Sequence, residues 1–223
     1  MAPIPFNTVA FDLDGTLADT APDLASALNS VLDDLGRPHI PVAEVRVMIG
    51  NGARALLHRG LVATGDAPEE LVDRSFALFL ERYRHGIARL TRPYPGVDAA
   101  LDRLAEDGIA LAVCTNKLEW LTFPLLEALG WKERFCAIVG GDTLPVRKPD
   151  PAPLHEAIAR AGGGRAAFVG DTITDAATAR AAGIPFIAVS FGFADRPIEQ
   201  FGAQAVIDDY ADLHAALQRT LAS

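Results

Sequence analysis

The stretch Thr8-Val9-Ala10-Phe11-Asp12-Leu13-Asp14-Gly15-Thr16 decides how this chain is read. An apolar, strand-like run over residues 8–12 stops at two carboxylates placed two residues apart. Similar runs recur at 109–115, 136–139, 166–170 and 185–190, with a weaker one at 205–207. Amphipathic stretches rich in Ala and Leu separate most of them, at 95–106, 118–129, 151–161 and 173–182. Strand alternating with helix predicts βαβ units and a mostly parallel sheet. The strands are almost continuously apolar, as a sheet covered by helices on both faces requires.

One interval breaks the alternation. No convincing strand lies between Asp12 and Ile109, whereas 22–35, 42–48, 53–63 and 68–90 read as helix. This predicts an α/β core formed by 1–17 and 93–223, into which 18–92 is inserted as an all-α helical cap. Arg92-Pro93-Tyr94-Pro95-Gly96 is the expected hinge on the return, because proline stops a helix and stiffens the chain.

The 223 residues are half apolar and 22% charged, too apolar for a disordered chain. No apolar run approaches the roughly 18 residues of a membrane span. The first basic residue is Arg37, so a secretory signal is not expected. Cys114 and Cys136 stand in apolar segments without partners at metal-ligand spacing, which excludes a disulfide framework and predicts a cytoplasmic protein. The net charge of −9 argues against a nucleic-acid partner. It leaves room for a small anion in a locally positive pocket. Monomer and homodimer both remain open.

Ligands of an open parallel sheet bind beyond the carboxyl ends of its strands. Polar residues cluster at these ends: Asp12, Asp14 and Thr16 after the first strand, and Thr115-Asn116-Lys117 after the second. Arg147-Lys148-Pro149 lies in the loop after the third, and Gly170-Asp171-Thr172-Ile173-Thr174-Asp175 follows the fourth. Asp12 and Asp14 are expected to point to one side of an extended backbone. Two such carboxylates repel, and a hard divalent cation held by oxygen ligands relieves the repulsion. With Asp171 as a third ligand and no His or Cys close by, Mg²⁺ is the expected ion. Asp12 then suits a nucleophile and Asp14 a general acid and base. Thr115 and Asn116 offer neutral donors, and Lys148 a fixed positive charge.

Taken singly, each cluster has a plain structural reading. Asp-x-Asp is a common turn, Thr115-Asn116 a helix cap and Lys148 a surface lysine. Four clusters in order, each at a strand end, outweigh these readings. The chain has only three lysines, and two of them, Lys117 and Lys148, follow strands at that edge. Lys117 reads either as a substrate contact or as a turn cap. Trp120 and Trp131 read as packing residues. The five histidines show no metal spacing, and Arg82, Arg84 and Arg89 read as a solvated face of the cap.

The four clusters together resemble the haloacid dehalogenase superfamily over essentially the whole chain. Asp-x-Asp-x-Thr corresponds to Asp12, Asp14 and Thr16, and the Thr or Ser ending the next strand to Thr115. Lys before Pro corresponds to Lys148-Pro149, and Gly-Asp-x-x-x-Asp to Gly170, Asp171 and Asp175. The resemblance implies a Rossmann-like core of five to six strands with a helical cap of the first type. It implies that Asp12 is nucleophile and Mg²⁺ ligand. Asp14 would be acid and base, and would bind the metal through its backbone carbonyl. Asp171 would be a metal ligand, with Asp175 behind the metal, and Thr16 and Asn116 would contact the substrate. Asp14, which the dehalogenase branch lacks, points to phosphate chemistry. Thr172 stands where Ser is commoner, and its hydroxyl is expected to substitute.

Within the cap, Gly50-Asn51-Gly52-Ala53-Arg54 is expected to open a helix whose free amides suit a small anion, with Arg54 adding charge. The plain reading is a helix junction using glycine for its turn. Ile49–Ala53, Asp19–Asp23 and Ser190-Phe191-Gly192-Phe193 resemble bacterial phosphoglycolate phosphatases. That likeness implies 2-phosphoglycolate as substrate, its phosphate in the core and its carboxylate toward Gly50, Asn51, Gly52 and Arg54. N-acetylmuramic acid 6-phosphate phosphatases are the nearest competing branch, and β-phosphoglucomutases share core and cap. A receiver-like phospho-switch also gathers Asp, Thr and Lys at strand ends, but lacks an insert of about 70 residues and is nearer half this length. An inactive binding protein is disfavoured by four intact motifs.

Overall fold

Beyond Phe11 the backbone leaves the sheet, and the chain's chemistry begins where its hydrogen-bonded ladder stops. The computed structural model describes residues 4–194 and 196–220. The ends of the expected core, 1–3 and 221–223, lie outside the described residues. Six parallel strands form the main sheet: β1 (Thr8–Phe11), β4 (Ala110–Cys114), β5 (Ala137–Val139), β6 (Ala166–Gly170), β7 (Phe186–Val189) and β8 (Ala205–Ile207). Their spatial order is β5-β4-β1-β6-β7-β8. Thr8 of β1 is in register with Ala110 on one side and Ala166 on the other. The chain winds outward from β1 to β5, then returns to β6 and winds the other way. The reversal falls between β1 and β6, where a doubly wound sheet opens a crevice at its carboxyl edge.

Alternation along each strand builds two unlike faces. Val9, Phe11, Leu111, Val113, Val169 and Ile187 belong to one cluster. It also holds residues of α5 (Val97–Glu106), α6 (Glu119–Ala128) and α9 (Leu213–Arg219). Ala10, Ala112, Cys114, Phe168 and Ala188 share the other with α7 (Ala152–Arg160) and α8 (Ile173–Ala182). Burying both faces is what the continuous apolar runs require. The short α9, with Leu213, Ala216 and Leu217 buried, was not anticipated, because seven residues carry too few turns for a periodic signal.

Four helices lie between β1 and α5: α1 (Ala21–Asp34), α2 (Val42–Arg46), α3 (Ala53–Thr64) and α4 (Glu69–His85). They gather around their own apolar cluster, including Leu28, Leu57, Leu61 and Phe79, with Leu121 and Phe193 reaching in from the sheet side. The expected all-α insertion is therefore present. Its two connections also pair with each other. β2 (Ala18–Asp19) and β3 (Arg92–Pro93) form a short antiparallel ribbon, with Ala18 opposite Pro93 and Asp19 opposite Arg92. The segment read as a hinge is thus half of a ribbon, too short to leave a pattern in sequence.

The last cap helix ends at His85 rather than reaching residue 90. Gly86 closes it, donating its N–H to the carbonyls of Arg82 and Tyr83. Asp23 then draws the following chain away. Its carboxylate accepts hydrogen bonds from Leu90 N (3.0 Å), Thr91 N (2.8 Å) and the Thr91 hydroxyl (2.8 Å). A buried carboxylate satisfied by three donors fixes the second connection to the first helix.

Candidate active site

β4, β1 and β6 are neighbours, so the residues that follow them meet. Asp12, Asp171 and Asp175 each place a carboxylate oxygen within 4.8 Å of the others, and all three are buried. Local backbone makes the convergence possible. Gly15 adopts φ +83°, and a Cβ there would fall on the Asp171 carboxylate. Thr16 donates its hydroxyl to Asp171 Oδ1 (2.7 Å), and the Phe193 N–H donates to Oδ2 (2.7 Å). Asp175 closes a capping box at the start of α8, accepting from Thr172 N (3.1 Å) and the Thr172 hydroxyl (2.6 Å). Thr172, where Ser is commoner, thus uses its hydroxyl to hold Asp175.

Lys148, buried on the loop after β5, is the cation of this cluster. Its Nζ lies 2.6 Å from Asp175 Oδ1 and 3.0 Å from Asp12 Oδ1. The Asp12 contact is an ion pair without hydrogen-bond geometry, so Asp12 Oδ1 is a buried acceptor without a hydrogen bond. Burial pushes the Asp12 carboxyl up to about 6, against Lys148, with Asp175 and Asp14 adding to the rise. Asp171 is driven well above the ordinary carboxylate range, by burial first and then by Asp175 and Asp12. Burial alone would lower the Lys148 ammonium, but Asp12 and Asp175 raise it above the usual lysine value.

This donor set fits a hard divalent cation. Three carboxylates face one ammonium, and one carboxylate oxygen lacks a donor. Such a deficit of positive charge in a buried, oxygen-only site matches the preference of Mg²⁺.

Asp14 is engaged differently. Its carboxylate does not join the cluster but accepts from Lys117 Nζ at 2.8 Å and 3.0 Å. The same ammonium donates to the Tyr83 hydroxyl (2.7 Å), which comes from α4 of the cap. Asp12, Asp14, Thr115, Asn116, Lys117 and Tyr83 line one cleft. Its remaining wall is mostly apolar, from Leu24, Ile49, Leu56, Leu118 and Leu121, with Gly50, Gly52 and Ala53 at the start of α3. The two acids expected on one side do share this cleft, yet each pairs with its own lysine, because the extended backbone ends at Phe11.

Other expected substrate contacts are engaged elsewhere. Thr16 is fully buried against Asp171 and does not line the cleft. Asn51 donates to the Thr174 hydroxyl (3.1 Å) and accepts from Arg59 (2.5 Å), tying cap to core. Arg54 turns outward from α3 to Glu69 and Asp73, on a partly exposed face. Asn116 lines the cleft, but its amide hydrogens go to Gly50 O and Lys148 O, both at 3.1 Å. Its Oδ1 is left as a buried acceptor without a partner. The sequence reading missed Tyr83 altogether, since one tyrosine on an amphipathic helix carries no positional signal. It left Lys117 undecided.

A family model of haloacid dehalogenase-like hydrolases matches residues 9–189. A phosphoglycolate phosphatase of Caulobacter vibrioides is 44% identical, the match covering 97% of this chain and 92% of the relative. One of Agrobacterium fabrum is 43% identical over 96% of this chain and 93% of its own length. Among solved structures, that of a predicted phosphoglycolate phosphatase from Haemophilus somnus superposes with a TM-score of 0.88 at 33% identity, covering 93% of this chain and 96% of the other.

Proposed function

Because this chain belongs to the haloacid dehalogenase-like hydrolase family, we propose that it hydrolyses 2-phosphoglycolate to glycolate and phosphate, through an aspartyl-phosphate on Asp12. Asp12 carries the reading: a buried carboxylate on the cleft, with one oxygen free of hydrogen bonds. The relatives' names support the substrate. A mostly apolar cleft lined by the Lys117 ammonium supports a small anionic ester.

Mg²⁺ would be held by the carboxylates of Asp12 and Asp171 and the backbone carbonyl of Asp14, with Asp175 behind them. Bound there, it would neutralise phosphoryl charge that otherwise repels an anionic nucleophile. Asp12 attacks phosphorus and the ester P–O bond breaks. The leaving oxygen takes a proton from Asp14. In the second half, Asp14 takes a proton from water as the water oxygen attacks phosphorus, which frees phosphate and restores the Asp12 carboxylate. Lys148, fixed by Asp175, faces the charge that develops beside Asp12. Thr115 offers a hydroxyl to the phosphoryl oxygens. Gly50, Gly52 and Ala53, at the start of α3, line the same cleft.

In this reading 18–92 form the cap over a core of 1–17 and 93–223. No helix among the described residues is long and apolar enough to cross a membrane. A cytoplasmic setting is supported by two unpaired cysteines, Cys114 and Cys136.

The test is a panel of phosphate esters assayed with and without Mg²⁺. The highest kcat/KM is expected for 2-phosphoglycolate, with turnover abolished by chelation. A higher value for N-acetylmuramic acid 6-phosphate would transfer the chain to that branch. Metal-independent turnover would remove the mechanism.

A further inference from the structure

Beyond the phosphate centre, the cleft holds a second cation that the proposed chemistry does not use. Lys117 is buried, its side chain 3% exposed, yet it lines the cleft together with Asp12 and Thr115. It lies two residues after Thr115, so its backbone stands within about 7 Å of the phosphate-binding strand end. Two groups aim its ammonium. Asp14 accepts from it with both oxygens, and the Tyr83 hydroxyl accepts at 2.7 Å, with the Tyr83 ring centre 4.5 Å from Nζ. The other walls at this end are apolar, and the arginine expected to supply charge, Arg54, is paired outside the cleft.

Resting on the reading above, we propose that Lys117, aimed by Tyr83 of the cap, is the residue that recognises the substrate's carboxylate. A small anionic ester brings a second negative group into a cleft where, among the described residues, Lys117 is the lining cation, beside Asp14. The carboxylate takes the place of Asp14 on the ammonium, so a buried charge keeps a partner throughout. An ester without that group leaves the apolar wall facing a neutral end and the ammonium with Asp14.

The experiment compares kcat/KM for 2-phosphoglycolate and for 2-hydroxyethyl phosphate, in which CH₂OH replaces the carboxylate. The ratio between the two is measured for wild type, Lys117→Met and Tyr83→Phe. Wild type should favour 2-phosphoglycolate. Lys117→Met should lower the ratio by about tenfold or more, the scale of a charge-assisted hydrogen bond. Tyr83→Phe, which keeps the ring, should lower it by about threefold through a raised KM for 2-phosphoglycolate alone. If Lys117→Met does not fold, Tyr83→Phe decides. A wild type that favours neither ester overturns the substrate reading and this inference with it. A wild type that favours 2-phosphoglycolate, with a ratio that the folded variants leave unchanged, overturns the role of Lys117 alone.

Discussion

Two buried lysines face the same carboxyl edge in opposite electrostatic settings. Lys148 is outnumbered: Asp12, Asp175 and, through them, Asp171 crowd around it, all supplied by the core. Lys117 is matched by a single carboxylate, Asp14, and shares its ammonium with a tyrosine from the cap. The first centre has a shortage of positive charge that a bound cation or protonation relieves. The second is balanced as it stands and depends on where the cap places Tyr83. One region is therefore a core-borne acid cluster short of positive charge, the other a balanced ion pair that a cap residue completes.

That contrast can be broken most sharply at Asp12. Asp12→Asn should abolish Mg²⁺-dependent turnover by about four orders of magnitude or more, since an amide is no nucleophile toward phosphorus. The fold should survive, because the change removes one of three crowded carboxylates. Circular dichroism and a turnover assay check both halves, and near-normal activity would refute the role of Asp12.

Stability separates the two lysines next. Lys148→Met leaves buried carboxylates without their cation, and metal-free protein should lose about 3–5 kcal/mol. Lys117→Met exposes Asp14, whose side chain is 13% accessible, to a smaller penalty of about 1–3 kcal/mol. Urea melts of both variants without metal give the order, and a reversed order would undo the comparison.

A third measurement uses pH. Asp12 has its carboxyl raised from 3.8 to about 6, so between these values the folded state binds the proton more tightly than the unfolded chain. Stability of the metal-free protein should therefore be greatest below about pH 4 for this group. It should fall as pH rises through 6, by up to about 3 kcal/mol. Asp171, also raised, acts in the same direction. Added Mg²⁺ should restore stability above pH 6 and little below it, because binding needs the ionised carboxylates. Thermal melts at pH 5 and 7, with and without Mg²⁺, show this as a larger gap between the two profiles at pH 7 than at pH 5.

The fold was legible because its signals are local and repeated. Each core strand announces itself as an apolar run, and the helical insertion shows as a long interval without one. Strand pairing within the cap connections was not legible, since Ala18–Asp19 and Arg92–Pro93 are two residues each and owe their pairing to the fold around them. Nor was the early end of the last cap helix. It depends on Asp23, sixty-eight positions before Thr91, capturing the backbone there.

The candidate site divides along the same line. Asp12, Asp171, Asp175, Thr115 and Lys148 were readable because each follows a strand, and parallel strands bring their carboxyl ends to one edge whatever the loops do. Thr16, Asn51 and Arg54 were read from motifs as substrate contacts. Their directions depend on neighbours far along the chain: Asp171, Thr174 and the pair Glu69 and Asp73. Sequence alone placed Asp12, Asp171 and Lys148 at one edge, because parallel strands bring their carboxyl ends together; that Asp175 rather than the Asp14 side chain completes the acid cluster came from the structure. Only the tertiary structure decided that Asp14 turns to Lys117 and that Tyr83 joins them. Where a long side chain points is set by charges and walls that other segments bring, and a linear pattern does not carry that information.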